Sequence, residues 1–110
     1  MNQLNKLFEL QNKLQNKLGT FPLTTKNRQA FINIQSLALI DEVMESLRET
    51  PWKPWKQQQT HNEENFKEEL VDAWHFLINL SIASGMTSEE LYIRFTKKNN
   101  VNHQRKDEGY

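Results

Sequence analysis

Few helix breakers interrupt this chain of 110 residues, and they divide it into long uninterrupted segments. Gly and Pro occur three times each, and between them apolar residues recur every three or four positions instead of alternating, which is the periodicity of helices. The chain is therefore predicted to be all-α, an antiparallel four-helix bundle in one domain over residues 1–110. The expected helices cover about 2–18, 24 or 25 to 49, 60–85 and 87 onward.

Local signals mark the ends of these helices. Gly19 is expected to close the first helix, because glycine takes the left-handed conformation common at helix ends, and Pro51 cannot continue the second. Thr60 and Thr87 are each followed three residues later by Glu, the capping box that predicts the starts of the third and fourth helices. Asn62 is an alternative cap for the third helix.

Charge and composition exclude several classes of function. Fourteen Lys and Arg balance fourteen Asp and Glu, so the chain lacks the positive field that nucleic acid or an anionic membrane requires. The absence of Cys excludes disulfides, thiolate zinc sites and Cys nucleophiles. Because no apolar run approaches a bilayer span and the first residues lack the features of a secretory signal, we expect a cytoplasmic protein.

The small size of the chain bears on its assembly. A chain this short buries a smaller fraction of its surface than a larger protein does. We therefore expect a homodimer in which the second copy completes the core.

On the second predicted helix, an apolar stripe is continued by acidic residues. Phe31, Ile34 and Ala38 follow the i, i+3, i+4 rhythm of one helical face, and Glu42 and Glu45 continue it. The inner face of this helix is thus predicted to carry two carboxylates.

The third helix repeats the pattern. Glu69 and Asp72 interrupt its apolar stripe, which also carries the polar Asn79. The apolar members of the stripe are Phe66, Phe76 and Ala83. If the two helices pack antiparallel, as neighbours in bundles usually do, the two acid pairs meet at the edge of the core.

Four carboxylates in one place repel each other and need a compensating cation. Mg²⁺ takes about six oxygen ligands and commonly combines carboxylates with substrate phosphates, so Glu42, Glu45, Glu69 and Asp72 are the candidate metal ligands. The alternative is that these four residues are solvated surface acids.

The first helix carries one polar residue on a leucine stripe. Gln11 lies at helical spacing between Leu4, Leu7, Leu14 and Leu18. A buried amide needs hydrogen-bond partners, so Gln11 is a candidate for contact with a ligand or another helix.

The two acid motifs resemble those of a known enzyme superfamily. Glu42-x-x-Glu45 followed by Glu69-x-x-Asp72 is similar to the signature of the all-α nucleoside triphosphate pyrophosphohydrolases, the MazG-like superfamily. The segment 69–76 and the tail 98–110, with Lys-Asn, Asn, Arg and a final Gly-Tyr, resemble the dimeric dUTPase branch. The first helix resembles that branch more loosely, through Leu-Phe at 7–8 and Gln-x-x-Leu at 11–14.

The resemblance implies hydrolysis of dUTP to dUMP and pyrophosphate. It implies that the acid quartet holds Mg²⁺, and we expect Glu45, with Glu42, to serve as the catalytic carboxylates that orient or deprotonate the attacking water. By the same resemblance His75 and Phe76 meet the deoxyribose, and Gln11 binds the uracil edge. The remaining implied substrate contacts are Trp55 and Lys56 at the base and phosphates, and Lys98, Asn102 and Arg105 along the phosphate chain.

Several other functions stay open on the residues alone. The same scaffold could serve a MazG-like or dCTP-type pyrophosphatase with another base preference. The pair Asp72-x-x-His75 also fits part of a di-iron carboxylate bundle, although that class uses two Glu-x-x-His pairs. A third alternative is a helical interaction protein without catalytic activity.

Each substrate contact also has a purely structural alternative. His75 and Phe76 could be core residues, and Gln11 could be a hydrogen bonder between helices or at a dimer seam. Trp55 could cover a small core. The basic segment 97–106 could be a solvated helix end, where cations favour the helix dipole.

Overall fold

The computed structural model describes residues 2–109, and over these residues it contains four α-helices and no strand. The helices are α1 (Gln3–Leu18), α2 (Arg28–Arg48), α3 (Glu63–Ala83) and α4 (Ser88–Asp107). This confirms the predicted all-α class with four helices. α4 continues through the polar second half of its segment to Asp107.

The predicted ends of α1 and α4 are confirmed. Gly19 has a φ of +82° and its backbone N–H bonds to carbonyls of the last turn of α1. At the start of α4, the Thr87 hydroxyl accepts a hydrogen bond from the Glu90 backbone N–H at 3.1 Å.

Two predicted helix starts differ from the structure. α2 begins at Arg28 rather than at residue 24 or 25, because the Thr24 hydroxyl accepts from the backbone N–H of Lys26 and Asn27 and forms a turn before the helix. α3 begins after the alternative cap, Asn62, whose side-chain oxygen accepts from the Asn65 backbone N–H at 3.0 Å. Thr60 lies two residues before that cap.

Hydrogen bonds at both ends show that α2 and α3 are antiparallel. Near the end of α2 and the start of α3, the Asn62 backbone N–H donates to the Glu49 carbonyl at 3.0 Å. At the opposite end, Arg28 Nε donates to the Ala83 carbonyl at 3.0 Å. The most extensive packing among the helices is between this pair, as the bundle prediction required.

α1 lies against the α2–α3 pair. Gln11 Nε2 donates to Asn79 Oδ1 of α3 at 2.8 Å. In the connection that follows α1, the ring of Phe21 packs against Phe31 of α2 with centroids 5.3 Å apart. α1 is thereby fixed to both helices of the pair.

α4 packs on α1 rather than along the α2–α3 pair. Its first residue, Ser88, is buried and hydrogen-bonds Asn5 of α1. Beyond this contact several large apolar residues of α4 are exposed: Tyr92, Ile93 and Phe95.

The inner faces of α1 and α2 differ from the predicted stripes. The buried residues of α1 are Phe8, Gln11 and Gln15, and on α2 Gln35 is buried where Ile34 was expected. Ile34 is 63% exposed. The predicted leucines of α1 are likewise exposed at positions 7, 14 and 18. These amides are tolerated inside because each has a hydrogen-bond partner: Gln11 and Gln35 bond to Asn79, and Gln15 bonds to Thr20.

Over residues 2–109, each helix is too short or too polar to cross a membrane.

The two caps proposed for α3 predict different effects on stability. Replacing Asn62 by Ala removes the hydrogen bond to the Asn65 N–H, and we expect it to lower the free energy of unfolding by about 1 kcal/mol. Thr60→Ala is the matched control and should change it by less than about 0.5 kcal/mol. Urea denaturation at one fixed protein concentration measures both. A larger loss for the Thr60 variant would contradict the cap assignment.

Candidate functional site

The antiparallel register brings the predicted acids together. Carboxylate oxygens of Glu42, Glu69 and Asp72 lie within 4.8 Å of one another, as do those of Asp41, Glu42 and Glu45. Glu42 belongs to both groups and joins them into one acidic cluster of five residues. The cluster could hold a metal ion.

Glu42 lies in the least favourable environment of the cluster. Its Oε2 atom is buried and has no hydrogen-bond partner among the described residues. Burial, and then the hydrogen bond and charges of neighbouring acids (Glu69, Glu45 and Asp72), raise the pKa of Glu42 to about 7. A buried acceptor without a donor is costly, so binding a proton or a cation at this atom would be favourable.

Glu45 is affected in the same direction. Its hydrogen bond with Glu69, followed by burial and the charge of Asp41, raises the pKa of Glu45 above its usual value. The donor set consists of carboxylate oxygens alone, which suit hard divalent cations such as Mg²⁺ rather than soft metals. The residues present therefore fit the metal that the sequence motifs imply.

Asp41 is the member of the cluster that the motif analysis missed. It lies four residues before Glu45, a spacing that places both on the same side of a helix. The i, i+4 spacing can be read from the sequence. Asp41 was not predicted because it does not continue the apolar stripe on which Glu42 lies.

A cavity of about 570 Å³ opens between α1 and α3. Its polar lining includes Gln11 and His75, and its apolar lining includes Trp74 and Leu7. This volume lies within the range of small-molecule sites. None of the five acids of the cluster lines this cavity. Asp72 lies three residues before His75 on α3, about 4.5 Å along the helix axis.

His75 is an exposed cavity residue and not a core histidine. Its Nδ1 donates to the Val71 carbonyl one turn earlier at 2.8 Å, which holds the ring on the cavity side of α3. Trp74, also on the cavity, was not identified from the sequence, although its position beside His75 was a usable signal. Phe76 is half-buried and does not line this cavity.

The structure places Trp55 and Lys56 in the loop between α2 and α3. Trp55 is 72% exposed and packs edge to face on Trp52 with centroids 5.8 Å apart. Lys56 lines a separate pocket of about 290 Å³ together with Lys53 and Arg48. Neither Trp55 nor Lys56 lines the cavity that contains Gln11.

Lys98, Asn102 and Arg105 lie in the second half of α4. α4 packs on α1, whereas the acidic cluster belongs to α2 and α3. In agreement, the pKa of Glu42 is raised by neighbouring acids without an opposing contribution from a cation of α4.

A family model described as dUTPase matches residues 3–86 of the chain. The chain belongs to the dUTPase family. The matched region covers α1 to α3 and both acid pairs, and it ends before α4 begins. The similarity of the tail to the dUTPase branch therefore stays a prediction.

Two phage proteins are similar to part of this dUTPase family member. A dCTP pyrophosphatase of Enterobacteria phage LZ5 is 35% identical over 71 residues, which cover 54% of this chain and 41% of that protein. A dCTP pyrophosphatase of Enterobacteria phage T4 is 34% identical over 71 residues, covering 54% and 42%. The match thus spans about two fifths of the length of these relatives. No solved structure matches the chain.

Together with the helical fold, these matches confirm the resemblance to the dUTPase-like nucleoside triphosphate pyrophosphohydrolase superfamily.

The raised pKa of Glu42 predicts how stability depends on pH in the metal-free protein. Between about pH 4.5 and 7 the unfolded chain releases the Glu42 proton while the folded chain retains it, so stability falls as pH rises. Glu42→Gln removes the ionisable carboxyl, so the fall in Tm between pH 5 and 8 should become smaller. Glu68→Gln, at an exposed acid of the same protein, is the control and should follow the unmodified chain.

Addition of Mg²⁺ at pH 8 should raise the Tm of the unmodified chain by a few degrees, because a ligand that binds only the folded state stabilises it. Glu42→Gln should lose this gain. Equal gains for both proteins would show that the cluster is not the metal site.

Proposed function

We propose that this chain hydrolyses dUTP to dUMP and pyrophosphate in the presence of Mg²⁺, and so removes dUTP from the nucleotide pool. The observation that carries the proposal is the buried oxygen of Glu42 in the acidic cluster, which has no hydrogen-bond partner among residues 2–109. Helix α3, which contributes Glu69 and Asp72 to the cluster, also lines a cavity of nucleoside size, on a scaffold of the dUTPase family.

In this proposal Glu42, Glu45, Glu69 and Asp72 hold Mg²⁺, with Asp41 next to them. These residues would hold the ion so that, when bound, it would supply the neutralisation of phosphate charge that phosphoryl transfer mainly requires. Glu45 is the proposed acceptor of a proton from the attacking water, since it is a carboxylate within the same cluster as Glu42. Water hydrolyses the phosphoanhydride bond between the first and second phosphates. That bond breaks, and pyrophosphate leaves.

The cavity between α1 and α3 is the proposed nucleoside site. His75 and Trp74 offer ring surfaces to the sugar, and Gln11 offers an amide to the base edge. Phe76 supports this segment of α3 from its half-buried position. Trp55 and Lys56 lie on the loop and would have to close over the nucleotide from there.

We propose that the chain acts as a homodimer. Its radius of gyration is 17.3 Å, compared with about 13 Å for a compact domain of this length. Large apolar side chains of α2, such as Leu37 at 68% and Ile40 at 60%, are exposed. Lys98, Asn102 and Arg105 are then proposed to reach the phosphates bound by the second copy.

A second candidate substrate is dCTP. The two phage relatives are named dCTP pyrophosphatases, and uracil and cytosine have the same size. dUTP and dCTP therefore differ only in the hydrogen-bonding groups at the edge of the base.

The proposed reaction is tested by measuring pyrophosphate release from dUTP, dCTP, dTTP and UTP with and without Mg²⁺. We expect metal-dependent release that is fastest with dUTP, and a decrease of at least about 100-fold for Glu45→Gln and Glu42→Gln. Glu68→Gln should keep the full rate. Faster release from dCTP would favour the second candidate, and no release from any nucleotide would exclude the enzyme.

The proposed dimer is tested by light scattering after gel filtration. We expect about twice the chain mass of 13.1 kDa. Leu37→Lys places a charge on the exposed apolar face of α2 and should shift the mass toward the monomer or unfold the chain, because that face loses its cover. Glu68→Lys, an equal charge change at a polar exposed site, should leave the mass unchanged. A folded monomer without substitutions would refute the dimer.

A further inference from the structure

Three buried amides connect α1, α3 and α2 in one chain of hydrogen bonds. Gln11 Nε2 donates to Asn79 Oδ1 at 2.8 Å, and Asn79 Nδ2 donates to Gln35 Oε1 at 2.8 Å. Their exposures are 5%, 2% and 8% respectively. We name Gln11, Asn79 and Gln35 the amide relay.

In the amide relay, turning any one amide alone breaks at least one hydrogen bond. An amide offers NH₂ on one side and a carbonyl oxygen on the other. If Gln11 alone turned over, its oxygen would face the Asn79 oxygen, and two buried acceptors would lose their donor. The orientation of Gln11 therefore depends on Asn79, and that of Asn79 depends on Gln35.

One end of the amide relay reaches the cavity. Gln11 lines it, whereas Asn79 and Gln35 do not. Most of the lining around Gln11 is apolar, with Leu4 and Leu10 on the same helix and Ile78 on α3. In these apolar surroundings, the Gln11 amide is one of the polar groups to which a base could hydrogen-bond.

Uracil and cytosine differ in what they present to an amide. Uracil carries an N–H donor at ring position 3 and a carbonyl acceptor at position 4. Cytosine carries an acceptor nitrogen at position 3 and an amino donor at position 4. One orientation of a glutamine amide matches uracil in a given pose, and the reversed orientation matches cytosine.

We propose that the amide relay fixes the orientation of Gln11 and thereby sets the preference between uracil and cytosine nucleotides. Asn79 and Gln35 are then positioning residues, which act on the base through Gln11 without touching it. This inference rests on the proposed function, since it takes the cavity between α1 and α3 as the nucleoside site. It also gives a physical reason why one scaffold serves both a family described as dUTPase and relatives named dCTP pyrophosphatases.

The test is the ratio of kcat/KM for dUTP to kcat/KM for dCTP in variants of Gln35, the member farthest along the relay from the cavity. Gln35→Glu keeps a carboxyl oxygen as acceptor for Asn79, and the ratio should stay within about twofold of the original. Gln35→Met has a similar shape without that acceptor, so Asn79 and Gln11 are free to turn. The ratio should then move toward one by roughly tenfold, the effect of one lost hydrogen-bond preference.

Gln15→Met is the matched control. Gln15 is a buried amide of α1 with 5% exposure, and its side-chain oxygen accepts a hydrogen bond from the Thr20 hydroxyl, outside the amide relay. Its replacement should leave the ratio unchanged even if both rates fall. Circular dichroism establishes that each variant is folded. Asn79→Leu breaks the relay at its centre and takes the place of Gln35→Met if that variant does not fold.

The outcomes separate this inference from the proposed function. If folded Gln35→Met or Asn79→Leu hydrolyses both nucleotides with the original ratio, the amide relay does not set base preference, and the proposed reaction stands. A ratio near one in the original chain, or an equal shift in Gln15→Met, also overturns the inference. If the original chain hydrolyses neither nucleotide, the proposed function and this inference both fail.

Discussion

The antiparallel register of α2 on α3 is the constraint on which the rest of the structure depends. At one end it pairs Arg28 with the carbonyl of Ala83, and further along it aligns Gln35 with Asn79. The same register carries Glu42 to the acids of α3. Each residue along a helix rotates the side chain by about 100°, so a slip of one residue would separate the acids and break the buried amide pair together.

The sequence alone was sufficient where a local rule decides the outcome. Thr87 caps α4 and Gly19 closes α1 because each supplies a specific backbone interaction within one turn. The meeting of Glu42 with Glu69 needed only the i, i+3 spacing of each pair and an antiparallel neighbour. The match to the dUTPase family extends over this same part of the chain.

The sequence could not decide which face of each helix is buried. Leu7 and Ile34 are exposed while Gln11 and Gln35 are buried, which reverses what hydrophobicity predicts for either helix. An amide is inexpensive to bury when another amide satisfies it, and that pairing joins residues far apart in the sequence. A helix with apolar residues on two sides has no unique inner face within one chain, and a partner copy would cover the second side.

The amide relay and the acidic cluster share the helices α2 and α3. Gln35 and Glu42 are seven residues apart on α2, as are Asp72 and Asn79 on α3, which is about 10.5 Å of helix in each case. Two full turns keep these residues on one face, so the amide relay and the acids lie along the same seam. A nucleotide with its base at Gln11 and its phosphates at Glu42 would follow that seam. The register of α2 on α3 therefore sets both the place of the Glu42 oxygen, which has no donor among the described residues, and the place of the Asn79 amide that holds Gln11.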